Sequence, residues 1–279
     1  MSRHIRFLLI MVAAVAVLGP AATIEAAQPA DLDRSPEFVL DHGNWEEIST
    51  WLKSSKAVIE LADASIIIEV NSTDGDAGFQ VFLDGGGWRN ARVFDSNGHR
   101  ILKVTATGGV RNIGGGTELF MESSEPEYED LDDMQDLIDL LPEGEYFFVA
   151  RTTDNHWATG TAGLTHDIPA GPEIVEPMAP ENEDECSTGV FVDSAVIEWE
   201  PVETDIWDEE DIEIESYQVI VEAEEGPDRK FAVTIPADTT MVAIPEEVLV
   251  EGTEFKFEVL AIEESGNQTI TEGCFETEE

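Results

Sequence analysis

The sequence predicts a mostly-β protein: two tandem antiparallel β-sandwiches, with a short helix inserted in the first. Three observations predict it. Runs with apolar/polar alternation recur at spacings of about ten residues, as in sandwich strands. Gly, Asn and Asp turn signals divide them. One stretch after Glu122 switches to helical spacing, and strands resume beyond Pro142.

The first 27 residues carry an export signal. Arg3 and Arg6 make a positive start, Phe7 to Leu18 is apolar, and Ala21, Ala22, Ala26 and Ala27 supply small residues for cleavage near Ala26 or Ala27. A membrane anchor is the alternative; the apolar stretch is short for a span. No cysteine lies near this leader, which argues against a lipoprotein anchor, and no later apolar run is long enough to cross a bilayer. Export places the mature chain in the periplasm, at the cell surface or outside the cell.

Residues 28–55 hold Pro29, Pro36 and a short amphipathic helix over Asn44–Lys53. Asn44 is its expected cap, and Glu46 and Glu47 lie in the first turn, at the positive helix end. Trp45 and Trp51 are expected to pack on the domain that follows.

That domain is expected over 56–169. Its strands are Ala64–Asn71, Phe79–Leu83, Asn90–Phe94, Arg100–Thr107, Thr117–Glu122, Glu145–Thr152 and Ala158–Thr165. Thr73–Gly78 and Asp84–Gly87 read as turns, and Asp95-Ser96-Asn97-Gly98 as a hairpin. Leu131, Met134, Leu137, Ile138 and Leu141 recur at helical spacing until Pro142 stops the run. Acidic residues from Glu125 to Asp133 crowd its start, where the helix dipole favours them.

Ile168-Pro169-Ala170-Gly171-Pro172 punctuates the chain as an interdomain joint, and the following Pro- and acid-rich segment reads as semi-extended. The second domain is expected over 172–279. Its alternating runs are Ala195–Pro201, Tyr217–Glu222 and Glu254–Ala261, and Asp205–Asp211 is an acidic loop between strands.

The charge narrows the partners. The chain has 61 Asp and Glu against 14 Lys and Arg, a formal net charge of −47. Phosphates of nucleic acid and anionic membrane surfaces are repelled. A salt-adapted surface, divalent-cation binding and a cationic partner all fit. Self-repulsion of this size makes the fold salt-dependent, because screening relieves it.

Calcium takes six to eight hard oxygen ligands. Glu69 and Asn71 lie two apart on one strand face, and Asp74 and Asp76 sit on the turn that follows. These four form a candidate calcium set. The pattern departs from an EF-hand, with Gly78 and Gly85 at two ligand positions, so a sandwich-type structural site is the form it would take. The competing reading is a β-turn whose Asp side chains bond their own backbone. Trp88 and Trp157 offer either core filling or a face for carbohydrate stacking. Trp207 offers either a binding anchor or an aromatic folded back on the sandwich.

Catalytic patterns are thin. No two histidines stand at metal-ligand spacing, and neither Gly-x-Ser-x-Gly nor His-Glu-x-x-His occurs. In an exported chain the two cysteines, Cys186 and Cys274, read as a disulfide, with two buried thiols as the alternative.

Trp199, Tyr217, Leu249 before the Gly252-Thr253 turn, and Val259-Leu260-Ala261 with Gly266 resemble a fibronectin type III domain over roughly 172–277. The resemblance implies a spacer or binding surface, and first and last strands close enough for the Cys186–Cys274 bridge, a pair that the family generally lacks. The first domain resembles Ig-like sandwiches more loosely, through Phe94–Gly98 and Pro142–Tyr146. The expectation is an exported, non-enzymatic binding or structural protein whose partner is a protein or glycan, with calcium a candidate stabiliser beside the plain β-turn reading. The competing class is a carbohydrate-binding accessory module or a hydrolase using carboxylates of the first domain.

Overall fold

The computed structural model describes residues 45–54, 58–179, 185–208, 210–226 and 229–278. The expected leader over 1–27 and the Asn44 cap lie outside them. Among the described residues, no helix is long and apolar enough to cross a membrane.

The first domain opens with helix α1 (Trp45–Ser54). Its strands are β1 (Val58–Glu60), β2 (Asp63–Asn71), β3 (Asp76–Phe94) and β4 (Arg100–Thr105). A one-turn helix α2 (Gly108–Asn112) leads into β5 (Gly116–Glu122). Helix α3 (Leu131–Ile138) precedes β6 (Gly144–Thr152) and β7 (Trp157–Leu164).

β3 corrects the expected strand plan. The chain does not turn at Asp84–Gly87; one strand of 19 residues runs through it. Its first half lies between β2 and β5, and its second half between β4 and β6. The glycines serve close approach instead of reversal: a Cβ on Gly85 would stand 2.8 Å from Leu61 Cδ2, and one on Gly87 2.5 Å from the Gly114 carbonyl. Spacing alone cannot separate these uses, because a bent strand and a turn both need small residues. Similarly, the strand expected to reach Thr107 stops at Thr105, and α2 follows after Thr107.

The core between the two halves holds Ile66, Ile68, Val70, Val81, Leu83, Val93 and Phe148, with Met134 and Ile138 of α3 packed against it. α3 starts where acid crowds the chain: Asp130 Oδ1 accepts from Asp133 N at 3.0 Å, capping the helix. Tyr146 is fully buried, and its hydroxyl donates to the Pro142 carbonyl at 2.9 Å. That is the tyrosine-corner geometry of Ig-type sandwiches. α1 covers the opposite face of the β6–β7 sheet, with Ile48 and Trp51 on Phe94, Val149 and Trp157. Trp51 and Trp157 meet edge to face at 5.1 Å.

The second domain has two sheets. One holds β11 (Ile214–Ala223), β12 (Lys230–Pro236), β14 (Glu254–Glu263) and β15 (Gln268–Thr277), with β9 (Ser187–Val190) beside β15. The other orders β13 (Met241–Ala243), β10 (Val196–Trp199) and β8 (Ile174–Glu176). Trp199 and Tyr217 make an edge-to-face pair at 5.2 Å in the core, with Phe255, Phe257 and Phe275. The Tyr217 hydroxyl accepts from Val202 N at 2.8 Å. Cys186 and Cys274 form a disulfide just before β9 and within β15, which run side by side.

The two sandwiches are not simply strung together. β15 pairs with β2 in parallel, so one sheet runs through both domains in the order β5-β3-β2-β15-β14-β11-β12. Antiparallel alternation predicts neither this pair nor the parallel β1–β7 and β9–β15 pairs, since a parallel neighbour comes from far along the chain.

Candidate functional site at the domain joint

Three sets of contacts hold the joint. The first is at β2–β15. Asn267, fully buried just before β15, accepts from Ile68 N at 2.9 Å and donates to the carbonyls of Thr165 (3.1 Å) and Asp167 (2.9 Å). One amide thus binds a strand, the end of the first domain and the start of β15. The second set lies at the turn after β2. Ser72 N and its hydroxyl both donate to the Ile270 carbonyl, Asn71 Nδ2 donates to Glu272 Oε1 at 2.8 Å, and Glu272 N donates to Thr73 Oγ1 at 2.8 Å. The third joins the linker to the acidic loop. Ala170 N donates to the Thr204 carbonyl and Ile206 N to that of Ile168, while Ile206 and Trp207 pack on the first domain's core. Trp207 is therefore an aromatic folded back, on the neighbouring domain.

The face of the shared sheet opposite both cores carries a row of polar groups. Side chains alternate along a strand, so Gln80 of β3, Glu69 of β2 and Gln268 of β15 share this face with Glu122 of β5. Glu69 is 5% exposed. Its Oε2 accepts from Gln80 Nε2 at 2.8 Å and from Gln268 Nε2. Burial pushes the Glu69 carboxyl up to about 8, and the nearby carboxylates Glu125, Glu122 and Glu258 add to this against the Gln268 hydrogen bond. Further along, burial and Glu272 push Glu258 up to about 7. Glu272 is raised by burial and then by Asp74. Ile220, Leu260 and Ile270 form a small apolar cluster beside them.

The four expected calcium ligands divide. Asn71 Oδ1 accepts from Thr73 N at 3.0 Å and Asp74 N at 3.1 Å, which is the turn bonding its own backbone. Asp76 opens β3 opposite Asn71 and bridges to Glu127. Glu69 is engaged by the two glutamines, and its nearest acidic neighbours are Glu122 and Glu125, all three with oxygens within 4.8 Å of one another. Sequence spacing missed Glu122, Glu125 and Glu272 because they arrive from another strand, from the loop that follows it and from the other domain. The signal for Glu122 and Glu272 is an acid on an alternating strand; Glu125, in the loop after β5, has no such signal. Trp88 and Trp157 are both core residues, at 4% and 6% exposure, so neither presents a ring to a sugar. The acidic loop lines a polar cleft of about 300 Å³ with His166, Asp167 and Glu263.

The strands and sheets define a protein of the mostly-β sandwich class. No protein-family model matches the chain, and no curated protein does. Among solved structures it is similar to a myokine at 19% identity, over 41% of this chain and all of that one, with a TM-score of 0.28. It is also similar to the first three fibronectin domains of chicken contactin, CNTN1, at 11% identity over 80% of this chain, with a TM-score of 0.32. The chain spans 65% of that contactin structure.

Proposed function

We propose that this chain is an exported, non-enzymatic structural or binding protein, with an Ig-like first domain and a fibronectin type III-like second domain joined as one stiff unit. The observation that carries the reading is the β2–β15 pair. Interfaces between domains of one chain are usually small and permit relative motion. Here a shared sheet, the buried Asn267 and the Trp207 contact all oppose it. A stiff unit suits a spacer that holds a binding surface at fixed distance. The disulfide supports an oxidising compartment. Small-angle scattering of the mature chain tests the stiffness: one rigid shape is expected at every salt concentration that keeps it folded. An ensemble of domain angles overturns the reading. A panel of esters and glycans tests the absence of catalysis; turnover that disappears when one carboxylate is replaced overturns it.

Calcium stabilisation is a second reading, favoured by Glu272, which brings a carboxylate of the second domain to Asn71 and near Asp74. Adding calcium is expected to raise Tm, and Asp74→Ala with Asp76→Ala to reduce that rise. A Tm indifferent to calcium and to chelator sinks this reading.

A further inference from the structure

One stretch reverses the charge of the chain. From Gly85 to Thr117 there are five bases (Arg89, Arg92, Arg100, Lys103 and Arg111) and a single acid, Asp95. Acid is therefore not spread evenly along the sequence. Arg92 is buried, Arg89 donates to Thr153 and Asn155, and Arg100, Lys103 and Arg111 are exposed, with Arg100 and Lys103 also holding contacts within the chain.

Their place in the fold is specific. At Trp88, β3 is flanked by β5 on one side and β6 on the other. Beyond it, β4 and β6 flank β3. β4 and β5 thus lie on the same side, and their partners on β3 descend in order: Arg100 opposite Phe94, Thr105 opposite Asn90, Gly116 opposite Trp88, Glu122 opposite Gln80. They are one antiparallel strand, interrupted by the α2 bulge. Among the described residues neither half has a partner strand on its outer side. Such a free edge is a template for pairing.

The edge is polarised. Its β4 half carries Arg100 and Lys103, and its β5 half carries Glu118 and Glu122. At the bulge between them, Val110 is 51% and Ile113 is 85% exposed. A twofold axis at the bulge would set two such edges antiparallel. The basic half of each copy then meets the acidic half of the other, and the apolar tips meet at the centre. A twofold contact is isologous and must be self-complementary, which this edge is in charge and in polarity.

We propose that the β4–α2–β5 edge is a homodimer interface, closed about a twofold axis at Val110 and Ile113. A net charge of −47 on each copy opposes the contact at low salt. Toward about 1 M salt the Debye length falls to about 3 Å, so long-range repulsion is screened while apolar contact remains.

Sedimentation velocity of the mature chain over a salt series is the test. The expected result is a monomer at low salt and a dimer, with no larger species, as salt rises. Ile113→Asp is expected to weaken dimerisation by roughly tenfold or more, the scale of losing a central anchor. Lys103→Glu is expected to weaken it, and Lys103→Glu with Glu118→Lys to recover it. Circular dichroism confirms that each variant folds, and Val110→Asp replaces any that does not. A monomer at every salt, an open-ended series of oligomers, a dimer indifferent to the tip variants, or no recovery in the charge swap overturns the proposal.

Discussion

Gln268 donates its side-chain amide to the buried carboxyl of Glu69 across the parallel β2–β15 pair, and Gln80 donates to the same oxygen from the other side. Two amides from two domains therefore converge on one acid. The joint is built around a group whose charge state depends on folding.

A pH dependence follows. Folding raises Glu69 from 4.5 to about 8, and Glu258 from 4.5 to about 7. Between the unfolded and folded values the native state binds more protons than the unfolded chain. The stability from these groups is fully present below about pH 4.5 and is lost as pH rises through 7 to 8. Each carboxyl contributes a slope of up to about 1.4 kcal/mol per pH unit inside its window. Tm is expected to fall from pH 5 to pH 8, and Glu69→Gln to flatten the profile. A Tm that rises over that interval contradicts this account.

Asn267 latches the joint. Asn267→Ala leaves the buried Ile68 N–H and two carbonyls without their partner. A loss of about 3 kcal/mol is expected, the range for an orphaned buried group or two. Urea titration measures it, and limited proteolysis at 165–172 should become faster. An unchanged cleavage rate would place the latch elsewhere.

The disulfide closes a loop with a sequence separation of 88. Replacing both cysteines by serine is expected to cost about 4 kcal/mol in the chain-entropy account. The loss should appear in the second domain's unfolding, read by the fluorescence of Trp199, and reduction of the native chain should reproduce it. Equal Tm in oxidised and reduced protein argues that the bridge adds nothing.

Gly115 has φ +82°, and a Cβ there would lie 2.1 Å from the Trp88 carbonyl oxygen. Gly115→Ala combines strain with a backbone clash, so about 2 kcal/mol or more is expected. Gly109→Ala meets nothing within 4 Å and is expected to be close to neutral. Similar Tm losses in both would refute the steric argument.

Much of the fold was legible because alternation is a local property. Ile66, Ile68 and Val70 mark the core face of β2, and Met134 with Ile138 marks the buried side of α3. Trp199 and Tyr217 read as core for the same reason, and the cysteine pairing followed from there being two. β3 shows the limit: the glycines at 85–87 signal small residues, and only the positions of Leu61 and Gly114 decide that the strand bends without turning.

The sequence by itself determined the strand class, the inserted helix, the acidic surface and the candidate run from Glu69 to Asp76. Each is written in the order of neighbouring residues. Tertiary structure alone decided that Glu69 answers to Gln268, that Asn71 meets Glu272, and that a basic and an acidic strand line up along one edge. These contacts join residues up to about 200 positions apart. Their partners are set by how sheets stack and by which edge β15 finds, and no local pattern of charge or hydropathy encodes that choice.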